Sequence, residues 1–401
     1  MRVAIVAESF LPRVNGVTNS VCRVLEHLAA AGHEAIVVAP APGPASYAGF
    51  PVLLTRGLSL PFYPSFVVGL PTRRVMALLE EFGPDVVHLA SPTVLGASGM
   101  KAARRLGVPV VAVFQTDLAG FARRYGLRAA GPAIWSWLRR VHRRAALTLA
   151  PSTATLRELG SRGIPRLALW GRGVDLDRFH PRHRSERLRA QLAPGGETIV
   201  GYTGRLATEK RVRLLAELAD LPGVRLVVVG DGPYWHRLRR LLPDAVFCGF
   251  RTGRDLSRLV ASFDVFVHTG RDETFCQAVQ EALASGVPVV APAAGGPLDL
   301  VRDGDNGLLY PADDPAAMRA AVAGLAARPA ERARMGERAR RSVRERGWAA
   351  VCDQLIGHYR HAVSLTPYHR EAGPAAPAGT VQGVDLAEPS PAPSGRARTD
   401  R

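Results

Sequence analysis

The sequence has few cysteines and no long apolar run, and each shortage excludes a class of protein. The chain of 401 residues has four cysteines, which lie at scattered positions with neither zinc-like nor redox-like spacing: Cys22, Cys248, Cys276 and Cys352. No stretch approaches the roughly 18 uninterrupted apolar residues that a membrane-spanning helix needs. The apolar stretch at the N-terminus is too short for a signal peptide. We therefore expect a cytoplasmic protein with reduced thiols.

Lysine is almost missing, although the chain is strongly basic. Lys101 and Lys210 are the only lysines among 52 basic residues, and the formal net charge is +17. The positive excess is concentrated in residues 1–170. Such a field favours an anionic partner, either nucleic acid, an acidic lipid surface or a phosphorylated ligand, unless the arginines merely solvate the surface. The basic stretch lacks a recognisable nucleic-acid reading motif, so we expect no nucleic-acid partner.

Short apolar runs alternate with longer amphipathic segments, which is typical of parallel α/β folds. The first series of predicted strands covers residues 3–7, 35–39, 52–54, 85–89, 108–113 and 147–150. After a segment rich in Pro and Arg, a second series covers residues 199–202, 226–229, 245–248, 265–268 and 287–291. The pattern predicts an α/β protein of two doubly wound domains, with a ligand bound in the crevice between them.

The same pattern gives the expected boundaries. We predict a first domain over residues 1–170, a linker over 171–196, a second domain over 197–346, a helix over 347–365 that crosses back to the first domain, and a tail over 366–401. The tail is rich in Pro, Gly, Ala and Ser and has almost no bulky apolar residues, which predicts disorder.

Two cations follow the first strand of the second series. The segment Gly204-Arg205-Leu206-Ala207-Thr208-Glu209-Lys210 comes directly after that strand and is expected to open a helix. Such a junction offers free backbone N–H groups and the positive end of a helix dipole to an anion. Arg205 can form two parallel bonds to phosphate oxygens, and Lys210 supplies a compact point charge. A chain that otherwise uses arginine keeps a lysine here, which indicates a specialised role.

Two glutamates and a glycine pair follow a later strand. Glu273 and Glu281 are eight residues apart in the sequence. On one helix this spacing is about 12 Å, too far for the carboxyl pair of a hydrolase, which lies within about 5–9.5 Å. The pair suits two separated hydroxyl-bearing parts of a long ligand. Gly295 and Gly296 let the backbone approach an anionic ligand closely, or else form a tight structural turn.

These segments belong to a larger set of motifs. The second half also contains Ser285-Gly286-Val287-Pro288-Val289 and Asp303-Gly304-Asp305-Asn306-Gly307; the first half and linker contain Glu8-Ser9-Phe10-Leu11-Pro12, Asn15-Gly16-Val17 and Gly173-Val174-Asp175. Together they resemble the retaining family 4 glycosyltransferases of the GT-B fold, over residues 1 to about 365. Phe114-Gln115-Thr116-Asp117 and Glu273-Thr274-Phe275-Cys276-Gln277 resemble the actinobacterial GDP-mannose-dependent α-mannosyltransferases that act on glycolipids.

The resemblance implies two Rossmann-like domains that face each other across a cleft, and a role for each matching residue. Arg205 and Lys210 are expected to hold the diphosphate of a nucleotide-sugar donor. The groups expected to contact the rest of the donor are Gly16 at the phosphates, Glu273, Phe275 and Cys276 at the sugar, and Glu281 at the ribose, together with Gln277, Gly295 and Gly296.

Two positions depart from the family pattern. Many members have a histidine where this chain has Gln115, and usually a glycine where it has Cys276. Gln115 cannot take up a proton, so it can orient a donor hydroxyl but not act as a general base. Asp117 is the nearest ionisable neighbour, and it is either catalytic or a helix N-cap. We count both residues with Arg205, Lys210 and Glu273 as the catalytic candidates.

The resemblance also implies a mechanism with retention, in which the departing phosphate accepts the proton of the acceptor. Cations fixed on the diphosphate stabilise the charge that grows in the transition state. The sequence shows no metal-ligand cluster, and Arg205 and Lys210 could take the role of a metal. We expect no metal and no tightly bound cofactor, only a nucleotide-sugar substrate such as GDP-mannose.

A basic stretch that contains two indoles predicts the surface at which the protein meets its acceptor. Residues 118–156 contain seven arginines and no acid, and the candidate membrane contacts are Arg123, Arg124, Trp135, Trp137, Arg139, Arg140, Arg143 and Arg144. Cations for anionic head groups and indoles at the boundary are typical of interfacial helices. An apolar stretch over residues 57–71, expected to be a loop, could also meet lipid. We expect a glycolipid acceptor and an anionic membrane surface at the inner face of the plasma membrane, unless both segments pack internally or between subunits.

Three other functions compete with this interpretation. A transferase that uses a UDP-sugar, with a lipid or soluble acceptor, shares all of the motifs above. A non-catalytic sugar-binding protein would not need the pair Arg205 and Lys210. A nicotinamide dehydrogenase would need Gly-x-Gly-x-x-Gly, and the best match, Gly230-Asp231-Gly232, fails at Trp235.

Overall fold

Two parallel sheets form the two halves of the structure. The computed structural model describes residues 1–365, except residues 14, 61–62, 71 and 121–127. The predicted tail over residues 366–401 and the predicted membrane contacts Arg123 and Arg124 therefore lie outside the described residues. Within the described part, no helix is both long enough and apolar enough to span a membrane.

The first domain is built on an eight-stranded sheet in the order β10-β9-β8-β7-β1-β2-β4-β3. In chain order its strands are β1 (Arg2–Val6), β2 (Glu34–Pro40), β3 (Ser46–Tyr47), β4 (Phe50–Thr55), β7 (Val86–Leu89), β8 (Val110–Val113), β9 (Leu147–Ala150) and β10 (Leu167–Leu169). All pairs are parallel except β3 with β4. The central strands are continuous apolar runs because helices cover both faces of the sheet.

Helices of the first domain connect these strands. They are α1 (Gly16–Ala30), α2 (Arg73–Phe82), α3 (Val94–Arg105), α4 (Gly131–His142) and α5 (Thr153–Ser161). Helix α1 begins where Asn15 caps it, because the Asn15 side chain accepts hydrogen bonds from the N–H groups of Val17 and Thr18. This cap fixes the position of Gly16 at the positive end of the helix, beside the carboxyl end of β1.

The second domain has a six-stranded parallel sheet in the order β13-β12-β11-β14-β15-β16. Its strands are β11 (Thr198–Thr203), β12 (Val224–Val229), β13 (Val246–Gly249), β14 (Val265–Val267), β15 (Val289–Pro292) and β16 (Gly307–Tyr310). Its helices are α6 (Glu186–Leu192), α7 (Trp235–Leu241), α8 (Gly253–Ala261), α9 (Gln277–Ala284), α10 (Pro315–Ala326) and α11 (Pro329–Ser342). The two doubly wound sheets confirm the predicted fold class.

Two local predictions were wrong. The predicted loop over residues 57–71 contains, in its described part, an antiparallel pair of strands, β5 (Gly57–Leu60) and β6 (Tyr63–Gly69). The expected helix after β11 is replaced by two 3₁₀ segments, Thr208–Lys210 and Val212–Leu218. Arg211 separates them in the left-handed region with φ +51°, which interrupts a regular helix at that residue.

The linker and the last helix bind the two domains together. Phe179 of the linker and Leu192 at the end of α6 pack in the core of the second domain. Helix α12 (Trp348–Ser364) returns to the first domain, where Leu355 and Tyr359 are buried with β1 and α1. The Trp170 indole N–H donates to the carbonyl of Val351 at 2.9 Å. The chain thus crosses between the domains twice, on one side of the cleft.

Candidate functional site

Lys210 and Glu273 form an ion pair at the carboxyl ends of β11 and β14. Lys210 Nζ lies 2.6 Å from Glu273 Oε1, and the side chains are 29% and 14% exposed. Burial disfavours both charges, but each charge compensates the other. Glu273 raises the pKa of Lys210, and Lys210 together with His268 holds the pKa of Glu273 well below its ordinary value. Both groups are therefore charged at neutral pH, as the sequence interpretation requires.

Arg205 lies in a loop whose path is fixed by backbone contacts. The Leu206 N–H donates to the carbonyl of Asp231 at 2.8 Å. A Cβ atom on Gly232 would lie 2.4 Å from the Leu206 carbonyl oxygen, so only glycine fits there. The two glycines that suggested a dinucleotide motif therefore serve to support this loop. The Arg205 side chain, 38% exposed, lies 3.6 Å from Glu209.

His268 joins the ion pair through a contact that the sequence did not reveal. His268 Nε2 lies 3.3 Å from Glu273 Oε1, and the His268 side chain is only 3% exposed. Within the described residues neither ring nitrogen makes a hydrogen bond of ordinary geometry. Although burial alone would lower it, the pKa of His268 is raised by the neighbouring Cys276 and Glu273. The signal available in the sequence was only a histidine at the end of a predicted strand.

The expectation of no metal-ligand cluster needs correction. The fold brings ligand atoms of His268, Glu273 and Cys276 within 4.8 Å of one another. A nitrogen, an oxygen and a sulfur ligand are the set that Zn²⁺ accepts. However, the Lys210 ammonium contacts the same Glu273 carboxylate at 2.6 Å, and its charge opposes a divalent cation there. The arrangement suits a sugar hydroxyl at Glu273 better than a metal.

Glu281 lies in α9, a turn beyond Gln277, and is largely buried. Burial raises the pKa of Glu281 to about 8, while Gln277 and the charge of Arg178 act in the opposite direction. The Gln277 side chain, predicted to contact the donor, donates instead to the carbonyl of Gly173 at 3.0 Å. This amide nitrogen therefore fixes the linker, and contact of Gln277 with the donor stays a prediction.

Close backbone contacts also explain why positions 295 and 296 are glycines. A Cβ atom on Gly296 would lie 1.9 Å from the carbonyl oxygen of Phe275, and one on Gly295, with φ +62°, would lie 2.6 Å from that of Glu273. The Gly296 N–H donates to the Glu273 carbonyl at 2.8 Å. Both glycines thus let the backbone approach the Glu273–Cys276 loop and hold its shape. These backbone contacts fit the alternative of a tight structural turn, and contact of the two glycines with an anionic ligand stays a prediction.

The same loop carries a strained residue. Cys276 has φ +82° at the start of α9, in the left-handed region that favours glycine, and its side chain is buried. This conformation would suit the glycine that the family pattern is expected to have at this position. Phe275 is 2% exposed and packs in the core of the second domain. Its side chain is therefore part of the scaffold, which leaves its backbone for a ligand.

Gln115 faces the second domain through Arg172, a residue that the sequence analysis missed. Gln115 follows β8, and its Nε2 donates to the carbonyl of Ala90 at 3.2 Å. Arg172 Nη2 donates to Gln115 Oε1 at 3.1 Å. A Cβ atom on Gly16 would lie 2.1 Å from Arg172 Nη1, so the guanidinium lies directly against that glycine. The linker therefore adds a cation between the predicted phosphate loop and Gln115.

Asp117 has the geometry of a helix cap. Its Oδ1 accepts a hydrogen bond from the N–H of Gly120 at 2.7 Å, as the N-cap alternative predicted. Asp117 also lines a cavity of about 480 Å³ in the first domain. The other walls of this cavity include Trp135, Arg139, Glu158 and Arg162. A second, much smaller cavity lies beside Gln115.

The basic helix α4 differs from the prediction at one indole. Trp135 is 8% exposed, stacks on Phe114 with ring centroids 6.2 Å apart, and is covered by the Arg162 guanidinium. It was predicted to contact the membrane, and this is wrong because a buried ring cannot reach a lipid surface. Trp137 is 40% exposed. The remaining predicted membrane contacts are exposed as well: Arg139, Arg140, Arg143 and Arg144.

The comparisons with known proteins give the family. Residues 14–178 match the family Glycosyltransferase Family 4, and residues 184–342 match the family Glycosyl transferases group 1. A GDP-mannose-dependent alpha-mannosyltransferase of Mycobacterium tuberculosis is 52% identical over 90% of this chain and 96% of its own length. A protein with the same name from Mycolicibacterium smegmatis is 53% identical over 90% of this chain and 97% of its own length.

A solved structure shows the same fold at low identity. Anabaena Alr3699/HepE, crystallised in complex with UDP, matches with a TM-score of 0.75 and 21% identity, over 90% of this chain and all of that chain. It has the GT-B arrangement of two Rossmann-like domains that was predicted here. The fold, the two family matches and the relatives that are identical at half of their positions agree, and the chain therefore belongs to the family 4 glycosyltransferases.

Proposed function

We propose that this glycosyltransferase moves an α-mannosyl group from GDP-mannose to a glycolipid acceptor at the cytoplasmic face of the membrane, with retention of configuration. The donor is inferred from the two relatives at 52% and 53% identity, both of which are named GDP-mannose-dependent alpha-mannosyltransferases. The single observation that carries the chemistry is the ion pair of Lys210 and Glu273, 2.6 Å apart, because it sets a fixed cation beside a fixed carboxylate.

The difficult step is departure of the nucleoside diphosphate from the anomeric carbon. In that step the bond between the anomeric carbon and the phosphate oxygen breaks, and its electron pair stays with the diphosphate. Lys210 and Arg205 stabilise the charge that develops there, an effect worth about 3–4 kcal/mol for a well-placed donor. Glu273 binds hydroxyls of the mannosyl group, and Glu281 binds those of the ribose.

A separate strong base is not needed in this mechanism. The acceptor hydroxyl forms the new bond to the anomeric carbon and gives its proton to the departing phosphate oxygen. Gln115 cannot hold a proton, and both ends of its amide are engaged, by Arg172 and by the carbonyl of Ala90. It is therefore suited to orient a hydroxyl. Asp117 serves as a helix cap and lies at the cavity instead of at the ion pair.

The acceptor side is inferred from charge and exposure. Helix α4 presents exposed arginines and the exposed indole of Trp137, a combination that favours an anionic interface. The cavity of about 480 Å³ beside this helix has two guanidinium groups in its walls, those of Arg139 and Arg162. It is large enough for a sugar head group, and its walls, which also hold the carboxylates of Asp117 and Glu158, offer both charged donors and charged acceptors to sugar hydroxyls. The exposed Leu58 of β5 adds an apolar contact.

The test is transfer by the purified full-length chain. Radiolabelled GDP-mannose, UDP-glucose and ADP-glucose are offered separately with vesicles that contain candidate glycolipids, and the lipid-soluble product is analysed. We expect label to enter lipid from GDP-mannose and from neither of the others. Transfer from the UDP-sugar alone would make the donor assignment wrong, and transfer only to soluble acceptors would make the acceptor assignment wrong.

A further inference from the structure

The backbone of Arg172 is fixed at the junction of the linker and the second domain. Its carbonyl oxygen accepts a hydrogen bond from Gln280 Nε2 at 2.9 Å. The carbonyl of the next residue, Gly173, accepts one from Gln277 Nε2 at 3.0 Å. Both amides belong to α9, the helix that follows the Glu273–Cys276 loop. These two bonds hold the linker so that the Arg172 side chain reaches toward the first domain.

The guanidinium of Arg172 fills the space between both walls of the cleft. On the first domain, Nη2 donates to Gln115 Oε1 at 3.1 Å, and Nη1 lies over Gly16 at the positive end of α1. On the second domain, the charge of Glu273 acts on Arg172. A residue of the linker thus lies where the predicted phosphate loop, Gln115 and the predicted sugar-binding carboxylate meet.

Among the residues that the structure describes, this cation has only a counter-charge that it shares, the Glu273 carboxylate. Burial lowers the pKa of Arg172 to about 10, while Glu273 acts to raise it, so the side chain stays charged at neutral pH. Its Nε is buried and has no hydrogen-bond partner among the residues described. Glu273 is already in contact with Lys210 at 2.6 Å. A partly exposed guanidinium whose Nε is enclosed, with one neutral acceptor and a shared carboxylate, is well placed to bind an anion that enters the cleft.

We propose that Arg172 binds the distal phosphate of the nucleotide-sugar donor, the phosphate that carries the sugar. This inference rests on the proposed function, in which Glu273 holds the transferred sugar. Because Arg172 lies between Glu273 and the Gly16 loop, the phosphate within its reach is the one next to the sugar. The guanidinium N–H groups of Arg172 that do not donate to Gln115 match the geometry of phosphate oxygens. The departing group then meets a third cation, supplied by the linker.

The experiment compares GDP with GMP, which lacks the distal phosphate. Their dissociation constants are measured by calorimetry for the full-length wild type, Arg172→Gln and Arg172→Lys. We expect Arg172→Gln to weaken GDP binding by about tenfold or more and GMP binding by less than about twofold, since charge-assisted phosphate bonds are the strong ones. Arg172→Lys keeps the charge and should retain part of the preference for GDP. If Arg172→Gln does not fold, the lysine variant carries the comparison.

The matched control is Arg23→Gln. Arg23 of α1 also joins the first domain to the linker, through Asp175 at 3.0 Å, and its guanidinium has a second carboxylate partner, Glu26, at 3.1 Å. If Arg172 only tied the domains together, both variants would weaken GDP and GMP alike. That result, or an unchanged preference for GDP in Arg172→Gln and Arg172→Lys, would overturn the proposal. An Arg172→Gln variant that is impaired only in its use of the acceptor, with donor binding unchanged, would also overturn the proposal.

The same design separates this inference from the proposed function. A wild type that binds UDP in preference to GDP would overturn the assignment of GDP-mannose. The comparison is then repeated with UDP and UMP, and it tests Arg172 in the same way. If Arg172→Gln no longer prefers UDP over UMP, the result supports the role of Arg172. If the preference for UDP persists in that variant, the role of Arg172 is overturned.

Discussion

Lys210 illustrates what a single residue contributes to this cleft. Its ammonium is held by Glu273 before any ligand arrives, so the cation need not reorganise when charge develops on a departing phosphate. The carboxylate in turn keeps the ammonium charged in spite of its burial. Each partner thus stabilises the charged state of the other, and the proposed chemistry needs both charges.

We expect Lys210→Ala to lower kcat/KM for GDP-mannose by about 10²–10³-fold, because a fixed cation at the leaving group is removed. Initial rates of mannosyl transfer measure the effect, and circular dichroism checks the fold. Lys101 provides the matched control, since it is the other lysine of the chain and is exposed on α3. Lys101→Ala should transfer at the wild-type rate. Equal rates in the two variants would show that Lys210 lies outside the reaction.

Glu281 should make the stability of the protein depend on pH. Burial raises the pKa of Glu281 to about 8, above the ordinary value near 4.5, so the folded state prefers the protonated carboxyl. Its contribution to the free energy of unfolding is complete below the ordinary pKa and is lost as the pH rises through 8. Glu281→Gln removes this loss, because glutamine stays neutral.

The expected result is a melting temperature close to that of the wild type at pH 5 and about 2–6 °C higher at pH 8. Donor affinity should fall in the same variant, because the carboxyl group proposed to bind the ribose is gone. Calorimetric melts across this range measure the first effect. Glu337→Gln, at an exposed position on α11, is the control and should show no such trend. A constant difference between pH 5 and pH 8 would contradict the assigned pKa direction.

At the residue scale, the sequence predicted the main charged residues of the site better than the residues that contact them. Lys210 and Glu273 carry a recognisable spacing after their strands, and the fold brings them together. Arg172 and His268 have no such signal. Their roles depend on where the linker crosses the cleft and on how the loop after β14 turns back. A cation directly before Gly173-Val174-Asp175 is the one hint that the sequence contained.

Among the secondary structure elements, too, some could be predicted from the sequence and others were missed. Strands of the two sheets were predictable because parallel strands, buried on both faces, are continuous apolar runs. The strand pair of β5 and β6 was missed because its prolines and glycines are typical of loops. The 3₁₀ segments were missed because a helical apolar spacing continues through Arg211, whereas its positive φ breaks the helix.

Helix α4 is the element on which the membrane proposal depends. Replacing Arg139, Arg140, Arg143 and Arg144 by Gln should weaken binding to anionic liposomes by at least about tenfold, since each cation near the surface contributes about 1 kcal/mol. Co-sedimentation at low and high salt measures this, and the wild type should lose affinity as salt rises.

The control for helix α4 replaces four exposed arginines of the second domain: Arg213, Arg237, Arg239 and Arg240. This variant has the same change in net charge and should bind liposomes as the wild type does. If the two variants lose the same affinity, net charge alone attracts the protein to lipid, and α4 is not the binding surface.

On the scale of the whole molecule, α12 makes the last part of the chain a component of the first domain. Tyr359 is fully buried, and its hydroxyl lies 2.5 Å from His88 Nδ1 beneath the sheet. Burial lowers the pKa of His88 to about 3, so the imidazole is neutral and the pair is a hydrogen bond. The helix follows directly on the second domain, so this contact attaches the end of the second domain's chain to the first domain.

We expect Tyr359→Ala to lower the free energy of unfolding by about 3–5 kcal/mol, because it leaves a large cavity and an unpaired buried imidazole. Chemical denaturation measures the loss. His361→Ala, two residues away on the exposed face of α12, should unfold as the wild type does. A small effect of Tyr359→Ala would mean that α12 contributes little to the first domain.

The proposed chemistry depends on a diphosphate that leaves into a set of fixed cations while the sugar stays on the protein. The most direct measurement uses GDP-mannose labelled with ¹³C at the anomeric carbon, the full-length chain and glycolipid vesicles. The one-bond coupling between the anomeric carbon and its proton reports the configuration of the lipid-bound product. We predict α-mannosyl lipid, formed by the wild type and nearly absent with Lys210→Ala. A β-linked product, or undiminished transfer by that variant, would contradict the mechanism.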